Sequence, residues 1–338
     1  LFSRVIAHSG SAYALWALPS TAQTIKNSKK LAQLLNCPTS SSKDMVECLR
    51  EVDVHEIVER DEEFFEWSYD PMIPFKPVIE PKGKNAFLTK DPIKLLKSGK
   101  FSQVPFITGF TTEDGSIKSS ALYNDSNLIK ELNDNFNALS PLLFQYNNSD
   151  GNKDYIGPTI RKYYFGDKTI DDSTKSEATK MFTDGLAMSP QNFGTELHAR
   201  YSNQAVYSYL FGYRGSVSLT TLFGDLSYDY GVCHGDDLLY LLSSDLFEDF
   251  PRTDSERRMI DIMSTLWANF AKTGNPTPTT DSLIQTKWEP TDESVKYYFI
   301  KNENEIKMIN NIYKEREEFW KELPIGYFGK NRVTKDEL

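Results

Sequence analysis

Short apolar, strand-like runs in this chain end in loops that carry histidine or carboxylates, and helical stretches separate them. Val104-Pro105-Phe106-Ile107-Thr108-Gly109 is one such run and leads into a loop bearing Glu113 and Asp114. Residues 205–213, AVYSYLFGY, alternate and are rich in aromatics, which predicts a second strand; a long loop then leads to His234. Val5-Ile6-Ala7 reads as the end of an earlier strand, and Val295 to Ile300 as a late one. The clearest helix is 254–273, where Thr253 and Glu256 form a capping box and Gly274 followed by Pro276 stops it. A helix over 21–35 places Ile25, Leu31, Leu34 and Leu35 on one face, with Thr21 as its cap. A polar, Asn-rich helical region is expected up to about residue 148, a long helix around 173–200, and a final amphipathic helix over 305–323. Alternation of this kind implies an α/β fold with a mostly parallel sheet and flanking helices.

Parallel-sheet folds place their chemistry in the loops at the carboxyl ends of strands. Two loops here qualify. The first, GFTTEDG (109–115), offers a carboxylate, and the second, GVCHGDDLLYL (231–241), an imidazole. Acid before histidine is the back half of the order nucleophile, acid, histidine, and excludes the histidine-first order of trypsin-like enzymes. The nucleophile's own signature, G-x-S-x-G, occurs nowhere in the 338 residues, and the chain opens on Leu1. The expectation is a C-terminal portion of a larger protein, inactive alone, whose nucleophilic serine lies upstream. Asp236 and Asp237 open the apolar stretch after His234, where carboxylates favour a helix start by about 0.3–1 kcal/mol. His8, His55 and His198 are assigned no chemistry.

A net charge of −10 argues against a nucleic-acid partner, which requires a basic footprint. No apolar run approaches the roughly 20 residues needed to span a bilayer. The last four residues, Lys335 to Leu338, spell the endoplasmic-reticulum retention tetrapeptide, so a retention receptor is an expected partner and the lumen an expected location. That oxidising compartment favours a bridge between Cys37 and Cys48 over two free thiols, worth roughly 2–3 kcal/mol by loop entropy. Cys233 is then left as a small buried hydrophobe. Asn124 and Asn147 begin glycosylation sequons in polar surroundings.

Several motifs in one order carry a resemblance. FSRVIAHSGSA near the start, CPTSSSKDMVEC (37–48), FKPVIEP (75–81), VPFITGFTTEDGS (104–116), YGVCHGDDLLYL (230–241) and LWANFAKTGNPTP (266–278) are similar, in sequence, to the carboxylesterase/cholinesterase family, most of all to insect esterases. The likeness runs from residue 1 to about 322. It implies an α/β-hydrolase fold, with residues 1–330 as the C-terminal portion of one such domain and 331–338 as a tail. By the same resemblance His234 matches the general base and Asp114 the acid. Most of the family has Glu at the acid position, so Glu113 is the alternative. Ser9 matches a serine that supports the triad by hydrogen bonding, and Trp16 an aromatic near the acyl side of the pocket. The cysteine spacing matches a loop the family closes by a disulfide.

The function implied is hydrolysis of a small-molecule carboxylic ester through an acyl-enzyme, with no metal or organic cofactor. Relatives that keep the fold for adhesion or for sequestering a ligand supply the competing reading. His234 with an acid in the right order favours catalysis, and the retention tetrapeptide disfavours a cell-surface role.

Overall fold

In a computed structural model, which describes residues 1–17, 21–146, 153–243 and 252–326, five strands form one sheet. They are β1 (Val5–His8), β2 (Phe106–Thr111), β3 (Val206–Phe211), β4 (Tyr297–Asn302) and β5 (Glu305–Ile309). Their spatial order equals their chain order, with β1 to β4 parallel and β5 antiparallel to β4. This is the α/β architecture expected. β3 is central and covered on both faces, so all six of its residues are buried.

The pleat divides the core in two. Tyr207, Tyr209 and Phe211 of β3 point with Ile107, Tyr298 and Ile300 toward the helix Asp254–Thr273. That helix presents Met259, Ile262, Met263, Leu266, Trp267 and Phe270 to them. Its first turn is closed by the reciprocal Thr253–Glu256 capping box, and Gly274 at φ 79° ends it. The alternate residues Phe110, Leu210 and Tyr297 face Met188 and Tyr313 on the other side. Beyond them the helices Ser116–Tyr123, Ser126–Phe144, Lys153–Phe165 and Lys175–Phe182 share a further core closed by Trp320. Among the described residues no helix is long and apolar enough to cross a membrane.

Four expectations change in detail. The long helix around 173–200 is continuous but passes through a π-helical turn, Thr183–Met188, between Lys175–Phe182 and Ser189–Tyr201. Gly185 lies in that turn because a side chain there would meet the Trp320 ring at 2.3 Å. Residues 305–309 form strand β5 and not the start of a helix; the final helix is Lys314–Glu322 only. Pairing of Ile306 with Ile300 and of Met308 with Tyr298 outweighs the helical spacing in that segment. The helix Thr21–Leu34 packs through Asn27 and Ala32, while Ile25 is exposed. Asn27 donates to the Pro74 carbonyl at 2.6 Å, a tertiary contact that overrides the apolar stripe. Thr21 is the first residue of that helix and not a residue flanking it.

Cys37 and Cys48 are bridged, with their Cα atoms 5.7 Å apart, and Cys233 is free and buried. Asn124 is exposed at the junction of Ser116–Tyr123 and Ser126–Phe144. Asn147 and Lys335 to Leu338 lie outside the described residues.

Candidate active site

Three adjacent parallel strands deliver three side chains to one place. β1 ends at His8, and Ser9 follows it with φ 49°, a left-handed turn that aims its hydroxyl back under the sheet end. β2 ends at Thr111, and the next residues fold tightly so that Asp114 returns to the strand end. Its Oδ2 accepts from the Thr111 backbone N–H at 3.1 Å, from Thr111 Oγ1 at 3.2 Å and from Ser9 Oγ at 2.5 Å. Its Oδ1 is 2.8 Å from Nδ1 of His234. Only 4% of Asp114 is exposed, so an ionised carboxylate there depends on these donors.

Gly115 is what allows the turn. A Cβ at that position would lie 2.1 Å from the backbone nitrogen of Thr183, at the π-helical turn. Instead the Gly115 N–H donates to Thr183 Oγ1 at 2.9 Å, and the acid loop is stitched to that turn.

The loop after β3 brings His234 in. Its side chain is 42% exposed, and its Nδ1 hydrogen is directed to Asp114, so Nε2 is the nitrogen left to exchange a proton. The Asp114 charge raises the His234 pKa from 6.5 to about 9, against the opposing effect of burial, with Asp237 and Asp236 adding to the rise. Gly235 at φ 81° turns the chain directly after the imidazole. Asp236 then accepts from Leu219 N and Cys233 N, both at 2.8 Å, which fixes the loop on either side of His234. Burial pushes the Asp236 carboxyl up to about 6.

Glu113 does something else. Its Oε2 accepts from the Val232 N–H at 2.9 Å and from Thr112 Oγ1 at 2.6 Å. Its carboxylate therefore ties the acid loop to the chain two residues before His234 and leaves the imidazole to Asp114. Gly231 at φ 84° makes room, since a Cβ there would meet Glu113 Oε2 at 2.5 Å.

Trp16 is half-buried, and its indole N–H donates to the Leu186 carbonyl at 2.9 Å. That carbonyl lies four residues before Pro190, which has no N–H to offer it. Cys233 is fully buried, and burial pushes its thiol up, which keeps it protonated and unreactive. His55 is exposed. His198 sits between Phe101 and Phe106, and burial lowers its pKa. His8, to which the sequence assigns no chemistry, lies with its Nδ1 2.7 Å from Oδ2 of Asp237. Asp236 and Asp237 open a short 3-10 helix, Asp236–Tyr240, as expected, and Asp237 in addition accepts from His8 and Tyr209. Neither contact is visible in the sequence, because the partners lie 229 and 28 positions apart; the one available signal is the adjacency of His8 to Ser9.

A mostly parallel sheet with a carboxylate and an imidazole joined above its strand ends is the α/β-hydrolase arrangement. The sequence profile of the carboxylesterase family matches residues 1–320, and the chain belongs to that family. It is 29% identical to venom carboxylesterase-6 of Apis mellifera over 99% of this chain and 59% of that protein. It is 34% identical to esterase FE4 of Myzus persicae over 87% of this chain and 51% of that protein. Juvenile hormone esterase from Manduca sexta, solved with OTFP covalently attached, shares the fold. The two superpose with a TM-score of 0.74 at 22% identity, covering 94% of this chain and 59% of that one. The chain thus spans between half and three-fifths of the length of these relatives.

The raised His234 pKa has a consequence for stability. A pKa lifted from 6.5 to about 9 means that the attraction to Asp114 is fully present below pH 6.5 and is lost as pH rises through 9. Denaturant melts of the wild type and Asp114→Asn should therefore differ most below pH 6.5, and the gap should narrow above pH 9. A gap that does not change with pH would contradict the pairing.

Proposed function

We propose that the protein hydrolyses small-molecule carboxylic esters, with His234 as general base and Asp114 as the acid that orients it. The observation carrying this reading is the 2.8 Å contact between His234 Nδ1 and a buried carboxylate above adjacent parallel strands, in a chain of the carboxylesterase family. In this reading the nucleophile is a serine upstream of Leu1. Curated relatives named as esterases, juvenile hormone esterase of Tribolium castaneum among them at 30% identity, support the reaction class.

The proposed reaction proceeds as follows. An alcohol is a poor nucleophile until its proton is removed, and Nε2 of His234 takes that proton as serine Oγ attacks the ester carbonyl carbon. Asp114 holds the ring in the tautomer that leaves Nε2 free, and its charge stabilises the imidazolium. The imidazolium then gives its proton to the departing alkoxide as the C–O bond breaks, leaving an acyl-serine. Water attacks the acyl carbon, its proton passes to Nε2, and the serine oxygen leaves and takes that proton back. Ser9 and Thr111 contribute by fixing the Asp114 carboxylate in place. Glu113 fixes the spacing between the two loops without touching the ring.

In the full-length protein Asp114→Asn should lower kcat by about 10³–10⁴, the scale seen when a triad histidine loses its orienting charge. Glu113→Gln should cost less than about tenfold, as suits a charge that does not touch the reacting groups. Turnover of a chromogenic ester by both variants checks this, and the reverse ranking would make Glu113 the acid.

We also propose that the Lys335 to Leu338 tail is a retention address and that the protein resides in the endoplasmic-reticulum lumen. The Cys37–Cys48 bridge suits that compartment. Deleting residues 335–338 should send the full-length protein to the medium of expressing cells; unchanged retention would refute the address.

A further inference from the structure

The residue before Ser9 is held by a second polar network that the triad does not use. Ser9 and His8 are consecutive at the end of β1, and each contacts a different carboxylate. Ser9 Oγ donates to Asp114, and His8 Nδ1 lies 2.7 Å from Oδ2 of Asp237. Asp237 is three residues beyond His234 and has no exposed side-chain surface. The same Oδ2 also accepts from the hydroxyl of Tyr209 at 2.6 Å. Tyr209 belongs to β3 and His8 to β1, two strands apart. The register places Gly109 of β2 opposite both, and a Cβ there would fall 2.3 Å from the Tyr209 ring. The missing side chain lets Tyr209 reach across to Asp237 and to within 2.9 Å of His8 Nδ1.

Trp267 decides the chemistry of this network. Its indole N–H points at His8 Nε2, 3.1 Å away, and the two rings stack with centroids 5.6 Å apart. An indole nitrogen only donates, so Nε2 must accept, and the ring hydrogen sits on Nδ1 where Asp237 takes it. Adding a second hydrogen to His8 would set two N–H groups against each other. Held this way, His8 donates to Asp237 Oδ2 alongside the Tyr209 hydroxyl. Asp237 Oδ1, the other oxygen, has no hydrogen-bond partner among the described residues. Burial by itself would raise the Asp237 pKa, but the contacts with His8 and then Tyr209 hold it below the usual carboxylate value. The titratable groups that act on His234 are Asp114, Asp237 and Asp236, and those around Asp237 are His8, Tyr209 and His234.

We propose that His8 is a positioning residue for the hydrolase site: clamped by Trp267 with its hydrogen on Nδ1, it keeps Asp237 as a second buried anion that supports the imidazolium of His234. This rests on the hydrolase reading. Asp114 orients the ring directly, while Asp237 adds charge from the turn that follows it. Consecutive residues of one strand end thus hold both anions in place, Ser9 the first and His8 the second.

The test uses the full-length protein and two variants that disturb the network differently. His8→Ala removes the donor from Asp237. Trp267→Phe keeps the aromatic volume but removes the indole N–H, so that nothing confines the His8 hydrogen to Nδ1, facing Asp237. Both should lower kcat about tenfold with KM changing less than about threefold. Both should also move the acid limb of the kcat/KM profile to lower pH, since His234 loses a supporting anion. His8→Asn, whose amide offers a donor where Nδ1 stood, should recover most of the loss. A merely structural role would lower the amount of folded protein without moving the pH limb. Independently of activity, ¹⁵N resonances of His8 at neutral pH should show the hydrogen on Nδ1 and none on Nε2. Wild-type pH profiles in both variants, or a hydrogen on Nε2, would overturn the proposal. Absence of ester turnover in the wild-type protein would strike at the hydrolase reading itself, and the ring-nitrogen assignment would still decide whether Trp267 locks His8.

Discussion

The hydrogen bonding of the Asp114 carboxylate is the constraint on which the rest of the site depends. A buried anion is tolerated only if its oxygens are met by donors, and here they come from three parallel strands at once. Ser9 supplies one from the end of β1, Thr111 two from the end of β2, and His234 one from the loop that follows β3. If any of these strands were misplaced, a buried charge would lose a partner. The requirement explains features that otherwise look unrelated: the left-handed Ser9, the side-chain-free Gly115 against the π-helical turn, and Glu113 binding the 232 backbone so that the two loops stay in register.

The sheet does more than provide a platform. A row of residues runs across it from His8 through Gly109 to Tyr209, set by parallel register alone. The absence of a side chain in the middle of that row connects the outer strand to the central one, and Trp267 of the helix Asp254–Thr273 seals it from the face. Packing that an apolar-pattern reading would count as core thus also sets which His8 nitrogen accepts from Trp267. The two carboxylates on either side of His234 in sequence, Asp114 before it and Asp237 after it, are both held by residues of β1 and its turn.

Much of the fold was legible in the sequence because local and tertiary preferences agree there. The helix Asp254–Thr273 carries its own start and stop signals, and β3 is aromatic and β-branched where a central strand should be. Where they disagree, tertiary pairing wins. Residues 305–309 fit a helical stripe, yet the edge of β4 makes them a strand; Ile25 fits an apolar face, yet Asn27 finds the Pro74 carbonyl and turns it outward. At the site, His234 and Asp114 could be nominated from loops that follow strands and from the family's motifs. The choice between Glu113 and Asp114 turns on side-chain direction, which composition and spacing do not encode. His8 and Asp237 lay beyond reach for the same reason, since their contact with each other and with Tyr209, across Gly109, exists only in the folded register.

The most direct measurement of the central claim is the proton between His234 and its carboxylate. In the full-length protein, proton NMR of the imidazole should show a strongly downfield Nδ1–H resonance, as a charge-assisted hydrogen bond to a buried carboxylate produces. The account has that resonance present in the wild type and in Glu113→Gln, and absent in Asp114→Asn. Its persistence in Asp114→Asn together with its loss in Glu113→Gln would contradict the account at its base.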